Sequence, residues 1–336
     1  MDSITHIVLG AAAGEVMLGK RIGKKAMLIG AVTNNIPDLD VTAHYFFDQV
    51  TAALIHRGFT HSFLFAALIS PLLGILCYNL FSKYLVEKRQ WIKFFFVTIV
   101  LHDAVDVLTS YGTGLLEPFS HKRFAANSVF IADPFFTFPL FVAFIILLVL
   151  KKSHSKRCMI NATAIFLSCA YLVFTFINKS HINNIAETSL KNQNIIYTRL
   201  LTTPAPLSNF LWYIVAKTDR GFYTGYYSNF DSTKEIEFHY TPSNDLMLVL
   251  FPQNNSVEML KIFSMGYFTI TKKDQQIFFN DLRFGRVAGW EFPGSQFVFS
   301  YNISRTPGTG EILRRTDFEI SMKDAFKSLV KRIKGN

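Results

Sequence analysis

Three windows of this chain, residues 62–82, 134–150 and 158–178, contain no Asp, Glu, Lys or Arg. Each holds about 17–21 residues, close to the ~20 that a helix needs to cross a bilayer. A fourth window, 91–111, is mostly apolar but carries His102, Asp103 and Asp106 in its second half. Two shorter apolar stretches rich in small residues, 4–19 and 26–36, predict a hairpin of short membrane-embedded helices. Charged residues make up 17% of the 336 and hydrophobic residues 50%, which excludes a disordered chain and does not fit an ordinary soluble enzyme, where about a quarter is charged. The fold class expected is a polytopic α-helical membrane bundle of about five to six membrane helices, residues 1–180, followed by a β-rich α+β soluble domain, residues 181–336. Met1-Asp2 offers no basic leader and no small-residue cleavage site follows, so a removable signal peptide is not expected.

The net charge of +10 could serve nucleic acid or a membrane surface. Its distribution favours the membrane. Lys20, Arg21, Lys24 and Lys25, then Lys83, Lys88 and Arg89, then Lys151, Lys152, Lys156 and Arg157 fall at every second junction between apolar windows. By the positive-inside rule those loops are cytoplasmic. Junctions 37–61 and 112–133, and everything after Asn178, then face outward. The basic runs are thereby used up as topology signals, and no nucleic-acid partner is expected. Cys77, Cys158 and Cys169 all lie in apolar runs, which leaves neither a disulfide framework nor a thiolate zinc cluster.

Beyond about residue 180 the runs 221–229, 235–240, 246–251, 267–271 and 296–303 are aromatic and β-branched and are punctuated by Asn, Asp, Gly and Pro. They read as short strands and turns. Residues 321–334 repeat apolar side chains at helical spacing between basic ones. They predict an amphipathic helix that packs on the β domain or lies on lipid, packing being the preferred reading.

Ionisable groups inside membrane helices are costly and mark function by default. His102 and Asp106 are four apart on one helical face, with Asp103 three before Asp106. Asp38 and Asp40, in Pro37-Asp38-Leu39-Asp40, can reach one cation from an extended turn. His56 and His61 flank Arg57-Gly58, whose turn can fold them together, while Thr60 or Ser62 caps the next helix. His6 starts the first helix, and Glu15 lower down reads as structural. Each piece alone has an ordinary alternative: a His–Asp bond between helices, a Pro-Asp turn, a structural histidine. Together, His6, Asp38, Asp40, His56, His61, His102, Asp103 and Asp106 map to one outward side of the bundle. Imidazole and carboxylate are ligands of zinc, manganese, iron and, for carboxylates, magnesium. Eight candidates exceed one zinc's four ligands, so either two metals bind or several of the residues orient ligands.

These same residues resemble the YdjM-like family of bacterial inner-membrane proteins classed as metal-dependent hydrolases. The resemblance runs through Thr5-His6 with Gly10, Pro37-Asp38-Leu39-Asp40, His56-Arg57-Gly58-Phe59-Thr60-His61-Ser62 and His102-Asp103-Ala104-Val105-Asp106. It continues in Thr109-Ser110-Tyr111-Gly112-Thr113, Pro118-Phe119-Ser120 and Asp133-Pro134. It covers about residues 1–180. The soluble part looks like that of longer members at Asp219-Arg220-Gly221 through Gly225-Tyr226-Tyr227-Ser228, and at Asp281-Leu282-Arg283-Phe284-Gly285. Asp103 stands where the family often has Leu or Phe, which makes it accessory and Asp106 the better ligand.

The chain is thus expected to be a multi-pass protein of the bacterial inner membrane, with its C-terminal domain outside the cytoplasm. A divalent metal is expected on His6, Asp38, Asp40, His56, His61, His102 and Asp106, zinc first and manganese or magnesium as alternatives. Asp38 or Asp103 would take a proton from water, and Arg57, with Lys122 or Arg123, would hold an anionic group. The partners expected are the lipid bilayer and a phosphoester or lipid-like substrate. The rival expectation is a non-enzymatic membrane protein, a metal-stabilised scaffold or an ion-handling protein.

Overall fold

The computed structural model describes residues 1–251, 255–304, 312–315 and 320–336. The chain forms two compact units, Met1–Thr42 with Ile55–Phe176, and Ala43–Leu54 with Ile177–Asn336.

The first unit is helical. Helices α1 (Ser3–Ile22) and α2 (Lys24–Thr33) form a tight hairpin. Gly23 turns between them at φ +61°, where a side chain would be strained. Small residues let the two backbones touch. A Cβ on Gly10 would lie 2.2 Å from the Gly30 carbonyl oxygen, and one on Gly14 would lie 2.1 Å from that of Ala26. Glu15 answers Arg157 through a bidentate pair of 2.8 and 2.6 Å, which neutralises a carboxylate the apolar helix could not otherwise bury. This is the structural role expected of it.

Helix α4 (Phe63–Leu80) begins where the Ser62 hydroxyl accepts from Phe65 N–H, and α6 (Pro134–Val149) where the Asp133 carboxylate accepts from Phe135 N–H. Helix α5 (Lys88–Val107) carries the His-Asp stretch, and α7 (Arg157–Asn192) closes the unit. Among the described residues α4 and α7 are long and apolar enough to cross a membrane; α6, also apolar, is shorter. Their outer faces are apolar: Leu72 on α4, Phe138 on α6 and Phe166 on α7 are 64, 67 and 69% exposed. Water would penalise such a surface, whereas acyl chains would not.

The second unit is β-rich. Strands β1 (Arg199–Pro204), β2 (Leu211–Lys217), β3 (Gly221–Ser228) and β4 (His239–Pro242) form one antiparallel sheet in sequence order. Strands β5 (Phe268–Lys273), β6 (Gln276–Arg286), β7 (Phe297–Asn302) and β8 (Leu313–Arg314) form the other. Leu201, Tyr213, Val215 and Phe222 of the first sheet pack with Leu282 and Phe297 of the second. Ile182, Ile185 and Ala186, on the part of α7 beyond Phe176, cover Trp212 and Ile214. The Asp281-Leu282-Arg283 stretch is a buried ion pair at a bulge of β6. Arg283 grips Asp281 at 2.6–3.1 Å and lies over the rings of Phe263 and Phe284.

Residues 246–251 are not a strand. They lie in a 3-10 turn, Asp245–Leu250, entered through Asn244 at φ +53°, with Met247 and Leu248 turned inward. The helix expected at the C-terminus is α9 (Met322–Ile333), capped by Ser321, and its Leu329 packs with Ala205 and Leu211. A short helix missing from the sequence reading, α3 (Gln49–Ile55), inserts Val50 among Val257, Leu260 of α8 (Asn255–Phe263), Ile270 and Phe279.

Candidate metal centre

Four segments of the first unit converge: the start of α1, the 3-10 helix Pro37–Tyr45, the turn Phe59–His61 and the end of α5. Asn34, at the end of α2, ties two of them together, the start of α1 and the end of α5. Its backbone oxygen accepts from His102 Nδ1 at 2.5 Å, its side-chain oxygen meets His6 Nδ1 at 3.3 Å, and its amide donates to the Thr98 carbonyl at 2.6 Å. The bond to His6 crosses the close α1–α2 approach that the glycines allow.

At the centre, His61 Nε2 and His102 Nε2 face each other at 3.0 Å. His102 Nδ1 carries its proton, because its partner is a carbonyl. His61 Nδ1 lies 3.3 Å from Asp40 Oδ2 and 3.1 Å from Thr60 Oγ1, so its proton also points away from the centre. With both Nδ1 protons turned outward, loss of the remaining His61 proton leaves two lone pairs aimed at each other, an arrangement that suits a cation between them. The carboxylates supply the rest. Asp38 Oδ1 lies 3.4 Å from His61 Nε2 and 3.7 Å from His102 Nε2, and Asp106 Oδ2 lies at the same two distances. Four ligands in a tetrahedron at about 2.0–2.1 Å from a metal stand about 3.3–3.4 Å apart. The five separations, 3.0–3.7 Å, bracket that edge. Asp106 Oδ2 is buried and, beside its ion pair with Arg57 Nε at 2.9 Å, accepts no hydrogen bond. The donor set therefore fits a divalent metal.

The other sequence candidates take distinct places. His6 is stacked on His102, ring centroids 3.8 Å apart, with its Nε2 3.2 Å from Asp106 Oδ1 and 3.9 Å from Asp38 Oδ2. The Met1 amino group contacts Asp106 Oδ1 and lies 2.9 Å from His6 Nε2. Asp40 is fully engaged by protein donors: His56 Nδ1 at 2.7 Å, Arg57 N–H at 3.0 Å and the Thr60 hydroxyl at 2.6 Å. Asp38, Asp40 and His56 do form a second grouping of metal-type ligands, but each Asp40 oxygen is already an acceptor. Asp103 is wholly buried and neither of its oxygens has a hydrogen bond.

Arg57 is buried, with Nε 2.9 Å from Asp106 Oδ2, NH1 donating to Thr109 Oγ1 at 2.7 Å, and its guanidinium over the Tyr111 ring. Arg123 is buried too, donating to the carbonyls of His56, Arg57 and Gly112 at 3.0–3.3 Å. It pins the motif loop from behind. Lys122 is exposed. Asn34 and Arg123 as organisers were missed in the sequence, since an Asn in an apolar helix end and a lone loop Arg carry no pattern.

Electrostatics outside the helices follow from this packing. Burial pushes the Asp38 carboxyl up, but the hydrogen bond to His61 and the charges of His102 and His61 outweigh it and hold it at about 2. Burial likewise opposes ionisation of Asp40, and its bonds to His56 and His61 overcome it. For His61, burial lowers the pKa, yet Asp38 and Asp40 raise it above the ordinary value.

Residues 1–182 match the family described as "YdjM inner membrane protein". The chain belongs to that family. Over 145 residues it is 32% identical to the uncharacterized protein YfhP of Bacillus subtilis (strain 168), covering 40% of this chain and 42% of YfhP. Over 125 residues it is 31% identical to the inner membrane protein YbcI of Escherichia coli (strain K12), covering 37% of this chain and 70% of YbcI. The chain thus spans less than half the length of YfhP. No solved structure matches it.

Proposed function

We propose that this YdjM family member is a metal-dependent hydrolase of the bacterial inner membrane, with its metal centre at the outer face and a phosphoester or lipid-like molecule as substrate. One observation carries the reading. Two buried imidazoles, their outer nitrogens anchored, aim lone pairs at one point also faced by two carboxylate oxygens. His61, His102, Asp38 and Asp106 would hold the metal, zinc being the first choice for such a set. When bound, the cation supplies a water of lowered pKa and polarises the scissile group. Asp40 orients His61, and Arg57 steadies Asp106 with its charge. Asp103, buried and without a hydrogen bond, is the residue left to accept a proton. Leu39, Val41, Phe59 and Phe63, chain neighbours of the ligand-bearing positions, are 43–63% exposed, which suits an amphiphilic substrate.

We read the chain as multi-pass, with the second unit outside the cytoplasm, on the alternation of basic loops. The test is turnover by purified, metal-loaded protein on a phosphoester and on a phospholipid, with His61→Ala abolishing both. A second reading, an ion-handling or metal-stabilised scaffold protein, is favoured by the burial of His6, His61, His102 and Asp106 at 0% exposure. It predicts metal uptake into liposomes or metal-dependent melting with no hydrolysis.

A further inference from the structure

The two aspartates at the centre each turn their two oxygens in different directions. Asp38 Oδ1 and Asp106 Oδ2 face His61 and His102, whereas Asp38 Oδ2 and Asp106 Oδ1 face His6. We propose that the centre holds two divalent cations, bridged by the carboxylates of Asp38 and Asp106, with His6 as the terminal protein ligand of the second. This rests on the metal-site reading above and adds a position to it.

Three features carry the inference. His6 Nε2 stands 3.2 and 3.9 Å from the two outer carboxylate oxygens, around the separation of donors sharing one metal. The rings of His6 and His102 are stacked at 3.8 Å and inclined by only 23°, so their Nε2 atoms address adjacent points, not the same point. That offset is close to the roughly 3.5–4 Å between ions in two-metal hydrolytic sites. His6 Nδ1 lies 3.3 Å from the Asn34 side-chain oxygen, an acceptor, which places the ring proton there and makes Nε2, on the carboxylate side, the ring's acceptor.

A bridged pair suits a phosphoester more than a carboxylic ester, because paired metals can stabilise both attacking and leaving oxygens.

The test uses the full chain in detergent, stripped with a chelator and reloaded with manganese. The wild type is expected to bind two manganese ions per chain and to give an exchange-coupled paramagnetic resonance spectrum. His6→Gln is expected to hold one ion, with the hyperfine pattern of isolated manganese, and Asp106→Asn to lose both. A wild type that saturates at one uncoupled ion overturns the second position, as does a His6→Gln variant that keeps two. The wild-type spectrum decides the matter even if His6→Gln fails to fold. Were one ion bound, lost in His61→Ala but kept in His6→Gln, the single-metal reading would stand alone. A wild type that binds no metal would sink both.

Discussion

Asp103 and Asp106 lie three positions apart on α5, and their surroundings separate them by function. Asp106 presents one oxygen to His61 and His102 and the other to His6, while Asp103 has no imidazole nitrogen within ion-pair reach among the described contacts. Asp106→Asn is therefore expected to empty the centre and Asp103→Asn to leave it loaded, measured as metal content of variants matched for expression and melting. Asp40→Asn removes an acceptor behind His61 and is expected to weaken metal binding about 10–100-fold without emptying the site. Metal binding should also fall with acidity. Because Asp38 and Asp40 raise the pKa of metal-free His61, a cation must displace its proton already above the ordinary histidine value of about 6.5. Below that raised pKa, affinity drops about tenfold per pH unit for each proton displaced, which a chelator competition series measures. The residue types of the site were legible in the sequence, because carboxylates and imidazoles in an apolar chain are conspicuous. Their division of labour was not. Asp40 and Asp38 look alike in Pro-Asp-Leu-Asp, and only the hydrogen bonds from His56, Arg57 and Thr60 show that Asp40 is occupied.

At the scale of elements, the apolar windows correspond closely to α4, α5 and α6, because charge-free runs end where capping residues such as Ser62 and Asp133 begin the helices. The window 158–178 falls short of α7, which continues to Asn192. There the buried apolar side chains are Ile182, Ile185, Ala186 and Leu190, set among polar residues, and hydropathy does not register so narrow a stripe. The α1–α2 hairpin makes a sharper demand. A Cβ on Gly30 would stand 2.1 Å from the Gly10 carbonyl oxygen, so Gly30→Ala has to push two backbones apart. It is expected to cost roughly 1–3 kcal/mol, read as a lowered melting temperature, and to loosen metal binding through displaced Asn34. Helix α3 rests on Asp48, which accepts from Val50 and Thr51 backbone N–H at 3.0 and 3.1 Å. Asp48→Ala should cost about 0.5–2 kcal/mol by loss of this cap. Burial opposes the ionisation of Asp48, but the Thr51 and Val50 bonds outweigh it and lower its pKa. The contribution of the cap is accordingly complete above the unfolded carboxyl value of about 3.9 and is lost as pH falls through the lower folded one.

For the whole molecule, the proposed orientation rests on the basic loops at 20–25, 83–89 and 151–157. A reporter active only in the cytoplasm, fused after Asn336, is expected to stay silent; strong activity there would invert the reading. The change of composition near residue 180 was plain in the sequence, whereas the membership of residues 43–54 in the β-rich unit was not, since twelve residues of mixed polarity look like any loop. That membership limits how the protein can be taken apart. Chain truncated after α7 would keep every candidate ligand, but it would also keep Val50, 1% exposed in the intact protein, without Val257, Leu260, Ile270 and Phe279 to cover it. The bared stretch would begin three residues after Asp40 and end just before His56, so the ligand-bearing turns would be joined by a segment stripped of its packing. Dissection into a minimal membrane fragment would have to redesign residues 43–54, with polar replacements at Val50 and its apolar neighbours, before that fragment could report on the metal centre.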